Sequence, residues 1–182
     1  MLSSLYLQIA KEAIKVHYDG LTLDKEAILK QYPQLGLPKA TFVTLTLYEQ
    51  LRGCIGSLIA HRPLLDDLIS NAHSAAFGDP RFLPLTLEEF KDIKIEVSLL
   101  SEPKLLPYTT KETLKSEIHS GVDGVILRLG NYQATFLPQV WEELNDFETF
   151  FAHLGMKAGI GSDPLSYHPE VYIYQVEKIK EE

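Results

Sequence analysis

The chain has 182 residues, of which 45% are hydrophobic and 23% are charged. These values are typical of globular proteins, exclude a disordered or collagen-like chain, and predict one domain or two small lobes that share a core. Seventeen lysines and arginines against 25 aspartates and glutamates give a net charge of −8. This charge repels phosphate backbones, so we expect no binding to nucleic acid. A single cysteine excludes an intramolecular disulfide and a Cys-x-x-Cys zinc or redox site.

No segment of the sequence predicts export or insertion into a membrane. The N-terminus lacks a basic region, and Lys11, Glu12 and Lys15 interrupt its apolar stretch. No run approaches the roughly 18 apolar residues that a membrane span needs. We therefore expect a cytoplasmic protein without membrane contact, and an unpaired cysteine suits that reducing compartment.

The first half of the chain predicts helices that flank a hairpin. Apolar residues at helical spacing indicate the helices, Pro33 ends the second and Pro63 opens the third. Alternating β-branched residues indicate two strands joined by a turn at Glu49-Gln50. The predicted elements are helices over 3–17, 24–31 and 63–77 and strands over 41–48, 52–59 and 93–99.

The second half predicts a similar order of elements. Gly130-Asn131 is expected to form a tight turn between two strands, because both residue types tolerate a positive φ. The predicted elements are helices over 110–119 and about 140–154 and strands over 122–129, 131–137 and 171–178. This order is consistent with an internal β-β-α-β duplication, although poor residue identity between the halves leaves coincidence open. The fold class is α+β, with helices flanking antiparallel or mixed sheets.

Several motifs, in a fixed order, resemble the AMMECR domain family over residues 40–175. They are Leu51-Arg-Gly-Cys-Ile-Gly-Ser57, Ala75-Ala-Phe-Gly-Asp-Pro-Arg-Phe82, Glu96-Val-Ser-Leu-Leu100, Phe136-Leu-Pro-Gln-Val-Trp-Glu-Glu143 and Lys157-Ala-Gly159. The resemblance implies a single domain over 1–182 with two unequal α+β lobes, over about 24–100 and 110–178, and a cleft between them. It also implies radical-SAM and Memo-like partner proteins, but no particular reaction. Family members often carry a tryptophan where this chain has Leu165-Ser-Tyr-His168, which puts the role of that residue in doubt here.

Cys54 is the candidate reactive residue, in a strand between Gly53 and Gly56. Strand alternation is expected to place Arg52 and Cys54 on one face, where the arginine favours a thiolate. Gly56 then leaves space beside the sulfur for a ligand or another backbone. The alternative is a small buried side chain whose neighbouring glycines allow tight packing.

Asp79 and Arg81 follow the predicted third helix on a loop that Pro80 stiffens. Arg81 is a candidate for gripping a carboxylate or phosphate, and the alternative is an Asp79–Arg81 pair that pins the loop. The expected working site is the face shared by Arg52 and Cys54, with Gly53 and Gly56, and its border comprises Asp79, Arg81, Glu96 and Ser98. Near the Trp141 core anchor, Gln139 is a further candidate for reading a polar ligand.

Other chemistry is not indicated. The six histidines lack the spacing of a metal site, and His61 is the only candidate near Cys54 in sequence for a Cys–His pair. No phosphate loop, dinucleotide motif or Gly-x-Ser-x-Gly motif occurs, so no cofactor or metal is expected. Solvated helix faces explain the carboxylate pairs Asp66-Asp67, Glu88-Glu89 and Glu142-Glu143.

Two functions remain open. The first is a binding or scaffold protein whose cleft holds a ligand or a partner's peptide. The second is an enzyme, or a catalytic accessory subunit, that uses Cys54 on a small anionic substrate. No complete set of nucleophile, base and oxyanion donors stands out in the sequence, which favours the first.

Overall fold

The computed structural model describes residues 2–182, and their contacts separate two compact units. The first unit runs to Leu100 and also includes Glu177–Glu182, and the second is Ser101–Val176. The helices are α1 (Leu2–Asp19), α2 (Lys25–Gln31), α3 (Leu64–Phe77), α4 (Leu87–Asp92), α5 (Lys111–Glu117) and α6 (Phe147–Ala158). The strands are β1 (Ala40–Leu47), β2 (Gln50–Gly56), β3 (Ile93–Leu100), β4 (Lys104–Leu105), β5 (Gly124–Leu129), β6 (Tyr132–Phe136), β7 (Glu170–Tyr174) and β8 (Val176–Lys180).

Each unit holds one four-stranded sheet, in the order β2-β1-β3-β8 in the first and β4-β7-β5-β6 in the second. In both, a hairpin is followed by a helix and by a strand that pairs antiparallel with the first strand of the hairpin. The α+β prediction is therefore confirmed. The strand order β2-β1-β3 in the first sheet corresponds to β6-β5-β7 in the second. The β-β-α-β topology therefore occurs in both units.

The hairpin of the first unit turns one residue earlier than predicted. Tyr48 and Glu49 occupy the turn with φ of 50° and 65°, as a two-residue turn with two left-handed positions requires. A β-bulge follows, because Thr46 pairs with Leu51 but Leu45 pairs with Gly53. Arg52 is thus the extra residue of β2, and Cys54 lies opposite Thr44.

The core of the first unit lies between its sheet and helices α1 and α3. One face of the sheet carries fully buried Val43, Leu45 and Val97. These side chains pack in one cluster with the apolar faces of the two helices, which include Leu68 and Ile14. Period-two alternation in the strands and the 3.6-residue period in the helices bring these apolar faces together.

The core of the second unit combines aliphatic side chains with a group of packed aromatic rings. Trp141 stacks on Phe150 with ring centroids 3.6 Å apart and an angle of 3° between the rings. The indole Nε1 donates to Asp123 O over 2.8 Å, so this buried polar atom is satisfied. The pairing of β5 with β6 confirms the hairpin predicted around Gly130-Asn131, where Gly130 has a φ of 59°.

Two predictions for the second half were wrong in detail. The helix expected from about residue 140 is a short 3-10 helix at Pro138–Glu142, and α6 begins only at Phe147, where Asp146 caps it by accepting from Thr149 N. The strand expected over 171–178 is two strands, β7 and β8, that belong to different sheets. Within residues 2–182, no helix combines the length and apolar character needed to cross a membrane.

Candidate functional site

Cys54 lies on the sheet face of the first unit that points away from α3. Cross-strand partners share a face, so the register places Cys54, Thr44 and Glu96 in one row across three strands. The Cys54 Sγ and Thr44 Oγ1 atoms lie 3.2 Å apart and share a hydrogen bond. Ser98 lies in the next row and is 7% exposed, and Glu96 forms an ion pair with Lys180 over 3.3 Å. The structure thus brings together Cys54, Glu96 and Ser98 from the predicted site and adds Thr44.

The space expected beside the Cys54 sulfur is occupied. Phe42 is the register partner of Gly56, and a Cβ atom on Gly56 would overlap the Phe42 ring. The ring therefore takes the volume that a side chain at Gly56 would fill. The prediction of an open concavity at Gly56 was wrong, because the glycine accommodates an aromatic ring from the neighbouring strand.

Gly53 allows strand β2 to pack closely against helix α3. A Cβ atom there would overlap the main-chain carbonyl of Ala75 in α3. Only glycine permits this close approach, and a ligand has no access along that direction. The contact supports the packing alternative for this glycine.

Arg52 is engaged away from Cys54. Its Nε and Nη2 atoms donate to the two carboxylate oxygens of Glu89 in α4, each over 3.0 Å, and Nη2 also donates to Leu83 O over 2.8 Å. The bulge interrupts the strand alternation, so the face that alternation predicts for Arg52 and Cys54 together does not form. The guanidinium holds the pKa of Glu89 below its usual range. This side chain ties α4 and the preceding loop to β2.

Asp79 and Arg81 bind the main chain of Cys54. Cys54 N donates to Asp79 Oδ2 over 3.0 Å, and Arg81 Nη2 donates to Cys54 O over 3.4 Å. Arg81 also donates to both oxygens of Asp79, from Nε over 3.0 Å and from Nη2 over 2.7 Å. The Arg81 guanidinium, and then the Cys54 N–H, hold the pKa of Asp79 well below its usual range. The pair pins the loop and covers the outer edge of strand β2, which matches the alternative reading.

Asp67 forms a buried polar cluster that the sequence interpretation missed. It is fully buried, and its Oδ2 accepts from Thr41 N, Thr41 Oγ1 and Asn71 Nδ2. Its Oδ1 accepts from Ser57 Oγ and Arg62 Nε, each over 2.7 Å. A solvated face therefore explains Asp66 but not Asp67. In the sequence, the two aspartates differ only in their position on α3. Asp67 falls on the helix face that is turned toward the sheet, and Asp66 does not.

The last two candidates, Gln139 and His61, are exposed side chains. Gln139 is an exposed residue of the 3-10 helix in the second unit. His61 is exposed, and its Nδ1 contacts Ile59 O over 3.0 Å rather than Cys54. Across the described part of the chain, no group of three or more histidine, cysteine, aspartate or glutamate side chains is arranged to hold a metal ion.

Comparison with known proteins relates nearly the whole chain to one family. The sequence pattern of the family described as AMMECR1 matches residues 7–179. A protein of Methanothermobacter thermautotrophicus is 39% identical over 175 residues, which cover 93% of this chain and 88% of that protein. Protein MJ0810 of Methanocaldococcus jannaschii is 38% identical over 162 residues, covering 86% and 81%. The crystal structure of the uncharacterized protein PH0010 from Pyrococcus horikoshii has a TM-score of 0.80 and 33% identity, covering 98% and 90%.

Proposed function

The chain belongs to the AMMECR1 family, and on that premise we propose that it is a binding or scaffold protein that works with radical-SAM and Memo-like partners. The sheet face that carries Thr44, Cys54 and Glu96 is the surface that we assign to binding. Its groups are a thiol, a hydroxyl and a carboxylate, which hydrogen-bond a polar ligand or a partner's peptide without supplying a net positive charge.

One observation carries this proposal: both arginines of the motifs are already paired within the unit. Arg52 is 9% exposed and bound to Glu89, while Arg81 is bound to Asp79. Each guanidinium lies bidentate on its carboxylate, so its charge is already compensated and attracts an anionic substrate less than a free arginine would. The pairs therefore support a role in holding the loop and α4 to β2.

The alternative function is an enzyme, or a catalytic accessory subunit, that uses Cys54 on a small anionic substrate. A cysteine nucleophile needs an adjacent base or cation that favours the thiolate. Cys54 Sγ shares a hydrogen bond with the Thr44 hydroxyl, which is neither a base nor a cation. The nearby Arg81 guanidinium binds the main-chain carbonyl of Cys54, and its charge is paired with Asp79. This arrangement favours the binding function over the enzymatic one.

The test is to incubate the purified protein with purified radical-SAM and Memo-like proteins from the same genome. Complex formation is followed by sedimentation, and products are followed by intact-mass and metabolite analysis. We expect Thr44→Val to weaken the complex and leave product formation per complex unchanged. Thr109→Val, at an exposed threonine of the second unit, is the matched control. If Cys54→Ser leaves the complex intact but abolishes a product, the protein is an enzyme and the proposal fails; failure to form any complex also contradicts it.

A further inference from the structure

Two histidines from different helices of the first unit lie side by side. His17 is in the last turn of α1 and His73 is in α3, and both are exposed. Their ring centroids are 5.6 Å apart, with an angle of 59° between the rings. Both helices pack on the side of the sheet opposite to Cys54, so the pair is separate from the face assigned to binding above.

Phe77 fixes the positions of the two imidazole rings. It lies one turn after His73 on the same face of α3 and stacks on His17, with centroids 3.9 Å apart and an angle of 22°. Its ring also contacts His73, with centroids 4.9 Å apart. Phe77 itself packs against the core of the unit. The separation of the two histidines is therefore set by packing, which spares a ligand the cost of ordering them.

The ring nitrogens of both histidines are available to a ligand. Among residues 2–182, neither His17 nor His73 takes part in a hydrogen bond or an ion pair. Other exposed histidines differ in this respect, since His61 Nδ1 contacts Ile59 O over 3.0 Å and His153 Nδ1 contacts Thr149 O over 2.9 Å. An imidazole nitrogen without an internal partner can donate, accept or bind a metal ion.

The distance between the rings matches that of two imidazoles bound to one metal ion. In a tetrahedral zinc site, each coordinating nitrogen lies about 2.1 Å from the metal. Each ring centre is then about 3.2 Å from the metal, and two such centres at the tetrahedral angle are about 5.2 Å apart. The observed separation of 5.6 Å is close to this value, and a small side-chain rotation closes the difference.

The electrostatic surroundings suit a cation that prefers nitrogen ligands. Burial, and then the neighbouring His17, lower the pKa of His73 below its usual range, which favours the neutral ring. Only a neutral imidazole binds a metal ion. The net charge of −8 attracts cations to the protein. Imidazole suits zinc, nickel and copper, whereas magnesium and calcium take oxygen ligands.

We propose that His17 and His73 bind one divalent transition metal ion, of the class of zinc, nickel and copper, which links α1 to α3. The described residues arrange no third histidine, cysteine, aspartate or glutamate for this ion, so water fills its remaining coordination positions. An ion that binds only the folded arrangement stabilises it increasingly as the metal concentration rises. The two ligands come from helices far apart in the chain, which explains why the spacing of the histidines does not reveal the pair.

The test follows the full-length protein by thermal unfolding and by NMR of its histidine side chains. Zinc chloride is the probe, and magnesium chloride is the matched salt of a cation that prefers oxygen. We expect zinc in the micromolar range to raise the midpoint of unfolding and to shift the ring signals of His17 and His73 together, at one ion per chain. Magnesium should do neither. His17→Gln and His73→Gln should each weaken zinc binding by at least about tenfold, because loss of an outer-shell partner alone already has this effect.

His61→Gln and His153→Gln are the matched controls, since each removes one exposed histidine that has its own main-chain contact. Both should bind zinc as the wild type does, and spectra of the metal-free variants show that each is folded. Unchanged zinc binding in His17→Gln or His73→Gln, an equal loss in the control variants, an equal response to magnesium, or no response to micromolar zinc overturns the proposal. None of these outcomes bears on the sheet face of the first unit.

Discussion

Ser57 Oγ and Arg62 Nε donate to the same oxygen of Asp67, each over 2.7 Å. Ser57 begins the segment that connects β2 to α3, and Arg62 lies one residue before its end, so one buried carboxylate holds both ends of the loop. The other carboxylate oxygen binds Thr41 of β1. The helix, the first strand and the loop are thereby joined at a single group.

Asp67→Asn is expected to destabilise the protein by about 3 kcal/mol, because the amide nitrogen replaces one of two buried accepting oxygens and leaves the donors that face it unsatisfied. Asp66→Asn, one residue away and paired with Lys25 at the surface, is the matched control and should change stability by less than about 0.5 kcal/mol. Urea unfolding of both variants measures the difference. Equal losses in the two variants would show that the cluster does not act as described.

Gly53→Ala and Gly56→Ala should lower the free energy of unfolding by different amounts, although both add one methyl group. At Gly53 the methyl group meets the main-chain carbonyl of Ala75, which cannot move without displacing α3, so we expect a loss of about 3 kcal/mol. At Gly56 it meets the side chain of Phe42, which can shift, and about 1 kcal/mol is expected. Phe42→Leu should recover part of the loss at Gly56 and none at Gly53. Recovery at both positions would contradict the assigned contacts.

Cys54 should react slowly with iodoacetamide in the folded protein. Its thiol is half-buried, shares a hydrogen bond with Thr44 and has the Phe42 ring over the adjacent Gly56. Because Arg52 is bound to Glu89, Arg52→Ala should leave the dependence of the alkylation rate on pH unchanged. Rates measured by intact mass between about pH 6 and 9, around the ordinary thiol pKa, check both statements. A rate that saturates near neutral pH and loses this saturation in Arg52→Ala would favour a functional thiolate.

The Asp79–Arg81 pair should make stability depend on acid pH. Asp79 has a lowered pKa in the folded state, so its contribution is present above the unfolded value of about 3.9 and is lost as the pH falls through the folded value. Asp79→Asn removes hydrogen bonds to a charged group and should cost about 2 kcal/mol near neutral pH. The difference in the free energy of unfolding between wild type and Asp79→Asn, measured with urea, should become smaller below about pH 4. Glu88→Gln, at a side chain that is 84% exposed, is the control, and a gap independent of pH would refute the assignment.

The candidate site was predictable only in part. The sequence places Cys54 in a strand and Asp79 and Arg81 on a loop, because period-two alternation and proline chemistry are local signals. It does not place Thr44 beside Cys54. That neighbour depends on the turn at Tyr48-Glu49 and on the single extra residue at Arg52, and a shift of one residue sends every later side chain of a strand to the other face.

The sequence by itself determined the α+β class, the order of the main helices and strands, and the hairpins, since these follow from short-range periodicity and turn residues. Tertiary structure alone decided the partners of the charged groups. Asp66 and Asp67 read alike in the sequence, yet only Asp67 turns inward, and Arg52 pairs with Glu89 from a distant helix. The tertiary structure also divided the strand predicted over 171–178 into two strands that belong to different sheets. Burial and pairing depend on contacts between segments far apart in the chain, which no local pattern contains.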